Sequence, residues 1–370
     1  MTAAPLSPQR SLGVALVGLG FGEKVHLPAL RDCPLTEPVA LWHARPERLE
    51  QACAASGLPG FSSYEALLAD PRVEALVIAT PPEPRFALAQ AAIAAGKHLL
   101  LEKPVALEAT QIEELQRQAL SAGVTVAVDF EYRAVPAFMQ LAALLRQNSI
   151  GTPWLIKLDW LMGSRADASR PWNWYSQRAA GGGVLGSLGT HAFDTLHWLL
   201  GPARQVSCLR SLAIPHRPLA DGSGRLAAVD AEDIALLQLE LETVQGQTVP
   251  AQVSLASVTR PGRGYWIEVY GSEGTLVLGS SNQSDYVHGF QLWRSSQGGP
   301  LEELSPDPQL AFDHTWPDGR VAPVRRLIQW WAEAALEGRP MRPGLSEAVH
   351  SQLICDRALQ AADSGIRQPV

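Results

Sequence analysis

Apolar residues come in short unbroken blocks through the first third of the chain and in alternation afterwards. Residues 12–17 form one block, which ends in Gly18-Leu19-Gly20-Phe21-Gly22. A strand buried on both faces of a parallel sheet reads this way. Blocks at 38–42, 73–79, 98–101 and 124–128 read as four more strands. Between them, segments 24–31, 46–56, 85–95 and 111–122 have helical character, with Pro46 suited to a first turn and Gly96 and Gly123 placed as stops. Strand and helix alternate, which predicts a doubly wound parallel α/β sheet of the Rossmann type, with ligands at the carboxyl ends of its strands. The loops after the first, third and fourth strands are where chemistry is expected.

Beyond residue 129 the pattern changes. A helix over 137–146 precedes runs at 154–161, 235–242, 249–258, 265–270 and 275–278 that alternate better and lie closer together. They predict a C-terminal α+β domain with a mainly antiparallel open sheet. Helices over 324–336 and 346–362 close the chain, and 216–228 and 295–322 read as long surface loops. The expected organisation is a flexible arm at 1–10, a dinucleotide-binding domain at 11–129 and a substrate and oligomerisation domain at 130–370.

Composition narrows the class. With 30 Lys plus Arg against 37 Asp plus Glu, the net charge of −7 argues against nucleic-acid or anionic-membrane partners. Cys33, Cys53, Cys208 and Cys355 form no CxxC pair, so neither a metal site nor a disulfide framework is indicated. The start carries no apolar leader and no run approaches a membrane span, so the expected location is the cytoplasm.

Several motifs carry candidate chemistry. Gly18, Gly20, Phe21 and Gly22 follow a strand and open a helix, the arrangement that cradles a pyrophosphate, although Glu23 stands where a third glycine is usual. No acid ends the second strand. His43, Arg45 and Arg48 stand there instead, which favours the 2′-phosphate of NADP over the free ribose of NAD. At the end of the fourth strand, Glu102-Lys103-Pro104 puts an ammonium where it can polarise a carbonyl or hold an alkoxide, unless Lys103 is simply a solvated charge. Later, Gly181-Gly182-Gly183-Val184-Leu185-Gly186-Ser187-Leu188-Gly189-Thr190-His191 leads into a helix over 187–200. Ser187 and Asp194 lie four before and three after His191, so a helix would bring both to its face. The histidine has the intrinsic range for proton exchange near neutral pH, or else a structural place like that of His197. Trp172, in the loop Arg170 to Trp174, is a candidate for shaping a substrate pocket, as against core packing.

These segments, together with Ile78-Ala79-Thr80-Pro81-Pro82, Ala95-Gly96-Lys97-His98 running to Pro104, and Gly271-Ser272-Glu273-Gly274-Thr275, occur in an order that resembles the glucose–fructose oxidoreductase, inositol dehydrogenase and rhizopine-catabolism (Gfo/Idh/MocA) family across nearly the whole chain. The resemblance implies NAD(P)-dependent hydride transfer with a sugar- or polyol-like secondary alcohol or carbonyl, and a homodimer or homotetramer. It maps the family's lysine to Lys103 and its catalytic histidine to His191. Thr80, Pro81, Arg85, Glu102 and Lys103 would line the cofactor. Three positions depart from the pattern: Ser187 replaces the acid that usually precedes the histidine, Arg85 stands where a histidine is common, and Glu23 replaces glycine. The missing acid leaves room for two other expectations, a non-enzymatic dinucleotide-binding sensor and an NAD-assisted glycosidase.

Overall fold

The computed structural model describes residues 10–282 and 289–370. Of the expected arm, residues 1–9 lie outside the described residues, and Arg10 pairs with Glu74. Six strands make the first sheet: β1 (Leu12–Val17), β2 (Thr36–Trp42), β3 (Gly60–Phe61), β4 (Ala75–Ile78), β5 (His98–Leu101) and β6 (Val126–Val128). Their order, β3-β2-β1-β4-β5-β6, is parallel throughout and reverses direction at β1, between β2 and β4. That reversal opens the crevice in which a doubly wound sheet binds its ligand. Every residue of β1 and β4 is buried, which is why these strands read as unbroken apolar blocks.

Helices cover both faces: α1 (Leu27–Asp32), α2 (Pro46–Ser56), α3 (Tyr64–Ala69), α4 (Pro82–Ala94) and α5 (Ala109–Ala122). Ser63 caps α3 by accepting the Ala66 amide at 3.2 Å, a contact worth about 1 kcal/mol in such helices. The expected helix at 24–31 begins earlier, as a π-helical turn Gly22–His26 that feeds α1. This turn explains the displaced glycine. A side chain on Gly22 would stand 3.0 Å from Leu16 Cδ1 and 3.3 Å from Ala79 Cβ, so Gly22 performs the close helix–strand packing expected of the third glycine. Glu23 is free to point outward, where its carboxylate meets Arg48 at 2.8 Å.

The second sheet has nine strands in the order β16-β15-β14-β13-β7-β12-β11-β8-β17. They are β7 (Pro153–Leu161), β8 (Ala203–Ser211), β11 (Ile234–Glu242), β12 (Thr248–Ala256), β13 (Gly264–Gly271), β14 (Gly274–Ser280), β15 (Gln291–Ser296), β16 (Glu302–Leu304) and β17 (Gln368–Pro369). Only β7 and β12 run parallel. Its inner face packs on α6 (Pro136–Arg146), α7 (Thr190–Leu199) and the last helix, α9 (Leu345–Ser364). On the other face Trp266 stacks on Trp293, with ring centroids 5.6 Å apart. The loop expected at 216–228 contains a two-stranded ribbon, β9 (His216–Pro218) and β10 (Leu226–Ala228), and the one at 295–322 contains β16. The remaining helix, α8 (Val321–Leu336), returns to the first sheet, where Val324, Ile328 and Trp331 join the core with Leu12, Leu16 and Leu30.

Two polar contacts, one buried and one half-buried, tie the second half together. Arg133 grips Asp194 through both carboxylate oxygens, at 2.6 and 2.8 Å, joining the turn after β6 to α7. On α9, His350 Nε2 accepts the Ala203 amide at 3.1 Å, which requires an unprotonated nitrogen. Burial, then the neighbouring His197 and Arg204, press its pKa down to about 3.

Two outcomes follow. Asp194→Asn strands a buried guanidinium and is expected to cost about 3–5 kcal/mol in urea unfolding; a loss below about 1 kcal/mol would deny the pair that role. His350 is uncharged in the folded chain but takes a proton in the unfolded chain below its ordinary value of 6.5. The wild type therefore loses stability here as pH falls from that value toward the folded one, whereas glutamine keeps an acceptor and does not titrate. His350→Gln should gain about 1 kcal/mol on the wild type between pH about 7.5 and 5.5. An unchanged difference across that range would mean that the folded protein carries His350 charged.

Candidate active site

The carboxyl ends of β1, β2, β4, β5 and β6 converge with the start of α7 on one crevice. Gly18 lies against the Ala79 backbone with φ of +94°, closing the turn after β1. Gly20 faces open space, with nothing within 4 Å of where a side chain would begin. Across the crevice, Thr80 at the end of β4 has a buried hydroxyl oxygen without a hydrogen-bond partner among the described residues. An open backbone cradle opposite an unsatisfied hydroxyl suits a dinucleotide, which Gly18, Gly20, Phe21, Thr80 and Pro81 would hold, with Gly22 packing the turn beneath.

The candidates at the end of β2 separate. Arg45 is exposed, and its backbone amide donates to His43 Nδ1 at 3.0 Å. Arg48 is turned toward the glycine turn, donating to Glu23 and, at 3.3 Å, to the Leu19 carbonyl. Arg85 has a different position from the one expected of a cofactor-lining residue. It is 2 % exposed and donates to the carbonyls of Thr80, Glu102 (2.6 Å) and Pro104, so it straps the loops after β4 and β5 together.

Lys103 reaches out of the first half of the molecule, and its Nζ donates to the Ser187 carbonyl at 3.2 Å. Ser187 lies within a second π-helical turn, Leu185–Gly189, which precedes α7. Its hydroxyl donates to the Gly183 carbonyl at 2.7 Å rather than to the histidine one turn on. The turn replaces i→i+4 bonding by i→i+5, so the spacing of four loses the meaning it has in an α-helix. The glycine run packs closely on its surroundings. A side chain at Gly182 would stand 2.5–2.7 Å from the carbonyl oxygens of Tyr175, Trp174 and Gln177. Only glycine lets the aromatic loop lie directly on this segment. In that loop Trp174 stacks on Tyr175 at 3.7 Å, and Trp172 is pinned by its indole N–H to the Ala228 carbonyl at 2.9 Å.

His191 is 4 % exposed and is ringed by Tyr132, Phe130 and Trp160 with centroids 5.1, 6.0 and 6.1 Å away. Burial, and then Lys103, hold its pKa well below the ordinary value, so the ring is neutral. Asp194, expected as its neighbour and a possible substrate contact, is instead consumed by Arg133.

Two buried acids and a histidine that the motifs did not single out, Asp129, Glu131 and His26, join Glu102 to complete the site. His26, from the π-helical turn after β1, meets Glu102 Oε1 at 2.9 Å and Asp129 Oδ2 at 3.5 Å. Burial drives the Asp129 carboxyl well above the usual range, reinforced by Glu102 and Glu131. Burial would raise Glu102 too, but the His26 bond and the charges of His26 and Lys103 bring it below the usual range. Two abutting buried carboxyls thus share one proton, the ionised form resting on Glu102. Glu131 lies in the turn Glu131–Ala134, with Oε2 3.5 Å from His191 Nε2. Burial lifts its pKa to about 7, with Lys103 lowering it and Glu102 raising it. The available signal was position: Asp129 and Glu131 directly follow the carboxyl end of β6, a ligand-facing edge of the sheet.

Comparison with known proteins identifies the fold and the family. Residues 12–130 match the family model for an oxidoreductase NAD-binding Rossmann fold, and 142–370 match that for the C-terminal alpha/beta domain of the same oxidoreductases. An uncharacterized oxidoreductase of Synechocystis sp., sll0816, is 43 % identical over 362 residues, covering 98 % of this chain and 95 % of that protein. A levoglucosan dehydrogenase of Pseudarthrobacter phenanthrenivorans is 26 % identical over 390 residues, covering 95 % and 96 %. A solved levoglucosan dehydrogenase in complex with NADH and levoglucosan superposes with a TM-score of 0.86 at 23 % identity, over 98 % of this chain and 100 % of that one, which shows the same fold. The chain belongs to the Gfo/Idh/MocA family of NAD-binding oxidoreductases.

Proposed function

We propose that the protein is an NAD(P)-dependent dehydrogenase or reductase that interconverts a sugar- or polyol-like secondary alcohol and its carbonyl. The observation that carries this reading is the meeting of Lys103 and His191 across the crevice. Lys103 Nζ is bonded to the Ser187 carbonyl, one turn before His191, and its charge acts on the imidazole from the opposite half of the molecule. The histidine's Nδ1 is buried without a hydrogen-bond partner among the described residues, as is the Thr80 hydroxyl. The imidazole nitrogen is met by a hydroxylated substrate, and the Thr80 hydroxyl by the dinucleotide, more readily than by apolar groups. One named relative, levoglucosan dehydrogenase, supports the carbohydrate class. Relatives named as oxidoreductases and dehydrogenases do not favour the sensor or the glycosidase.

When bound, a nicotinamide dinucleotide supplies the hydride acceptor or donor. The chain's own residues do the rest. Lys103 holds the substrate oxygen and stabilises negative charge as it develops there. His191, neutral at rest, removes the hydroxyl proton in oxidation and returns it in reduction. The aromatic ring of Phe130, Tyr132 and Trp160 keeps water from that proton.

Across a panel of aldoses, anhydrosugars, inositols and keto-sugars, at least one is expected to change nicotinamide absorbance at 340 nm. Lys103→Ala and His191→Ala should each lower kcat/KM about a hundredfold or more. Full turnover in either variant would remove that residue from its role.

The end of β2 supports NADP as the preferred cofactor. It offers an exposed Arg45 beside His43, with Arg48 in the first turn of α2, and β2 itself ends without a carboxylate, the first acid after it being Glu47 in α2. NADP should show the lower KM, and Arg45→Ala should raise it about tenfold while leaving the KM for NAD unchanged. Equal or better use of NAD by the wild type would reverse the assignment.

A further inference from the structure

We propose that Glu131 and His191 form one proton-sharing pair, so that Glu131 does for this histidine what an acid at position 187 would otherwise do. The proposal rests on the dehydrogenase reading above and concerns how its base works.

Alone, His191 is poorly equipped to hold a proton. It is 4 % exposed, caged by three aromatic side chains and close to the Lys103 ammonium, all of which oppose an imidazolium. Ser187 offers no charge, and its hydroxyl is committed to Gly183. The ring's Nε2 instead faces a carboxyl oxygen of Glu131 at 3.5 Å, and Glu131 is itself only 5 % exposed. A carboxylate at that distance in a water-poor site stabilises an imidazolium far more than it would at a surface.

The surroundings fix how many protons the pair can hold. Facing it are Lys103 and Glu102 from the end of β5, Asp129 from the end of β6, Arg320 from the start of α8, and the Asp194–Arg133 pair with Tyr265 behind. Glu102 and Asp129 carry one proton and one negative charge between them, with the Lys103 ammonium nearby to balance it. The burial that lifts Glu131 to about 7 therefore sets the pH at which the Glu131–His191 pair loses its proton. Above that value the pair is a base.

In oxidation, the substrate O–H bond breaks and its proton forms an N–H bond on His191, while hydride leaves the adjoining carbon for the oxidised nicotinamide dinucleotide. The imidazolium that results lies against the Glu131 carboxylate and is neutralised by it. Reduction runs the same transfers backward. Glu131 touches the histidine and not the reacting atoms, so it is a positioning residue.

Glu131→Gln preserves shape and removes the charge. Its expected effects are a fall in kcat for oxidation of about tenfold or more, with KM changed less than about threefold, and loss of the rise in kcat centred near pH 7. Glu131→Asp should keep that rise. A second measurement needs no turnover. In cofactor-free protein with 15N-labelled histidines, the His191 resonance, assigned by its loss in His191→Gln, should shift with a midpoint near 7 and stop doing so in Glu131→Gln. If no alcohol or carbonyl is turned over by the wild type, the dehydrogenase reading fails and the resonance alone decides the pairing. A full rate with an unchanged pH profile in Glu131→Gln, or a lowered rate that leaves both the pH rise and the resonance shift in place, overturns the proposal.

Discussion

Three carboxyl groups, two imidazoles and one ammonium are packed into a crevice with little water, and the rest of the site is arranged around keeping their charges in balance. A buried carboxylate without a partner is costly enough to take up a proton instead. Glu102, Asp129 and Glu131 resolve this in three ways. Glu102 stays ionised against His26 and Lys103, Asp129 stays protonated against Glu102, and Glu131 is placed between those extremes. Separating the proton affinities of chemically similar groups by environment is how an enzyme site obtains both a fixed charge and an exchangeable proton.

That balance depends on where Lys103 is held. Its ammonium belongs to the nucleotide-binding half but is tethered to a carbonyl of the other half, so a small rotation of one half against the other would move the site's principal cation. Two buried arginines hold the segments on either side of this contact without taking part in chemistry. Arg85 straps the loops that flank Lys103, and Arg133 fixes the turn bearing Glu131 to the helix bearing His191. A guanidinium suits this task because its several donors diverge in a rigid plane and stay charged when buried.

The first sheet was legible because its strands are buried on both faces and therefore spelled out in apolar blocks. The second sheet was legible wherever its inner residues alternate, as in β11 and β12. It was not legible at β8, where Leu209 points to solvent at 68 % exposure and Arg204 and Arg210 stand within the strand, or in the short ribbon inside 216–228. The site was half legible for a related reason. Lys103 and His191 follow signals that survive in any context, a strand end and a glycine run. The relations among Ser187, His191 and Asp194 were inferred from α-helical spacing, and the π-helical turn at Leu185–Gly189 invalidates the first while the pull of Arg133 removes the second. The same kind of turn after β1 moved the third glycine by one position and left its packing role intact. Glu131 could be found only by treating the end of every parallel strand as a ligand edge.

An acid supplied from the turn after β6 differs in consequence from one supplied by the histidine's own helix. Four residues apart on one helix, acid and imidazole stay together however the halves of the molecule are disposed. Glu131 instead comes from the turn that leaves the first sheet, so its 3.5 Å separation from His191 depends on the packing of that turn against α7, which the Arg133–Asp194 pair fixes. The aromatic rings around the histidine come from both sides of this boundary, Phe130 and Tyr132 beside Glu131 and Trp160 from β7. The strength of the base is thus tied to the same junction that Lys103 spans. Substrate oxygen, proton acceptor and countercharge are brought into register by one interface, which makes the arrangement of the two halves a condition for the chemistry as well as a container for it.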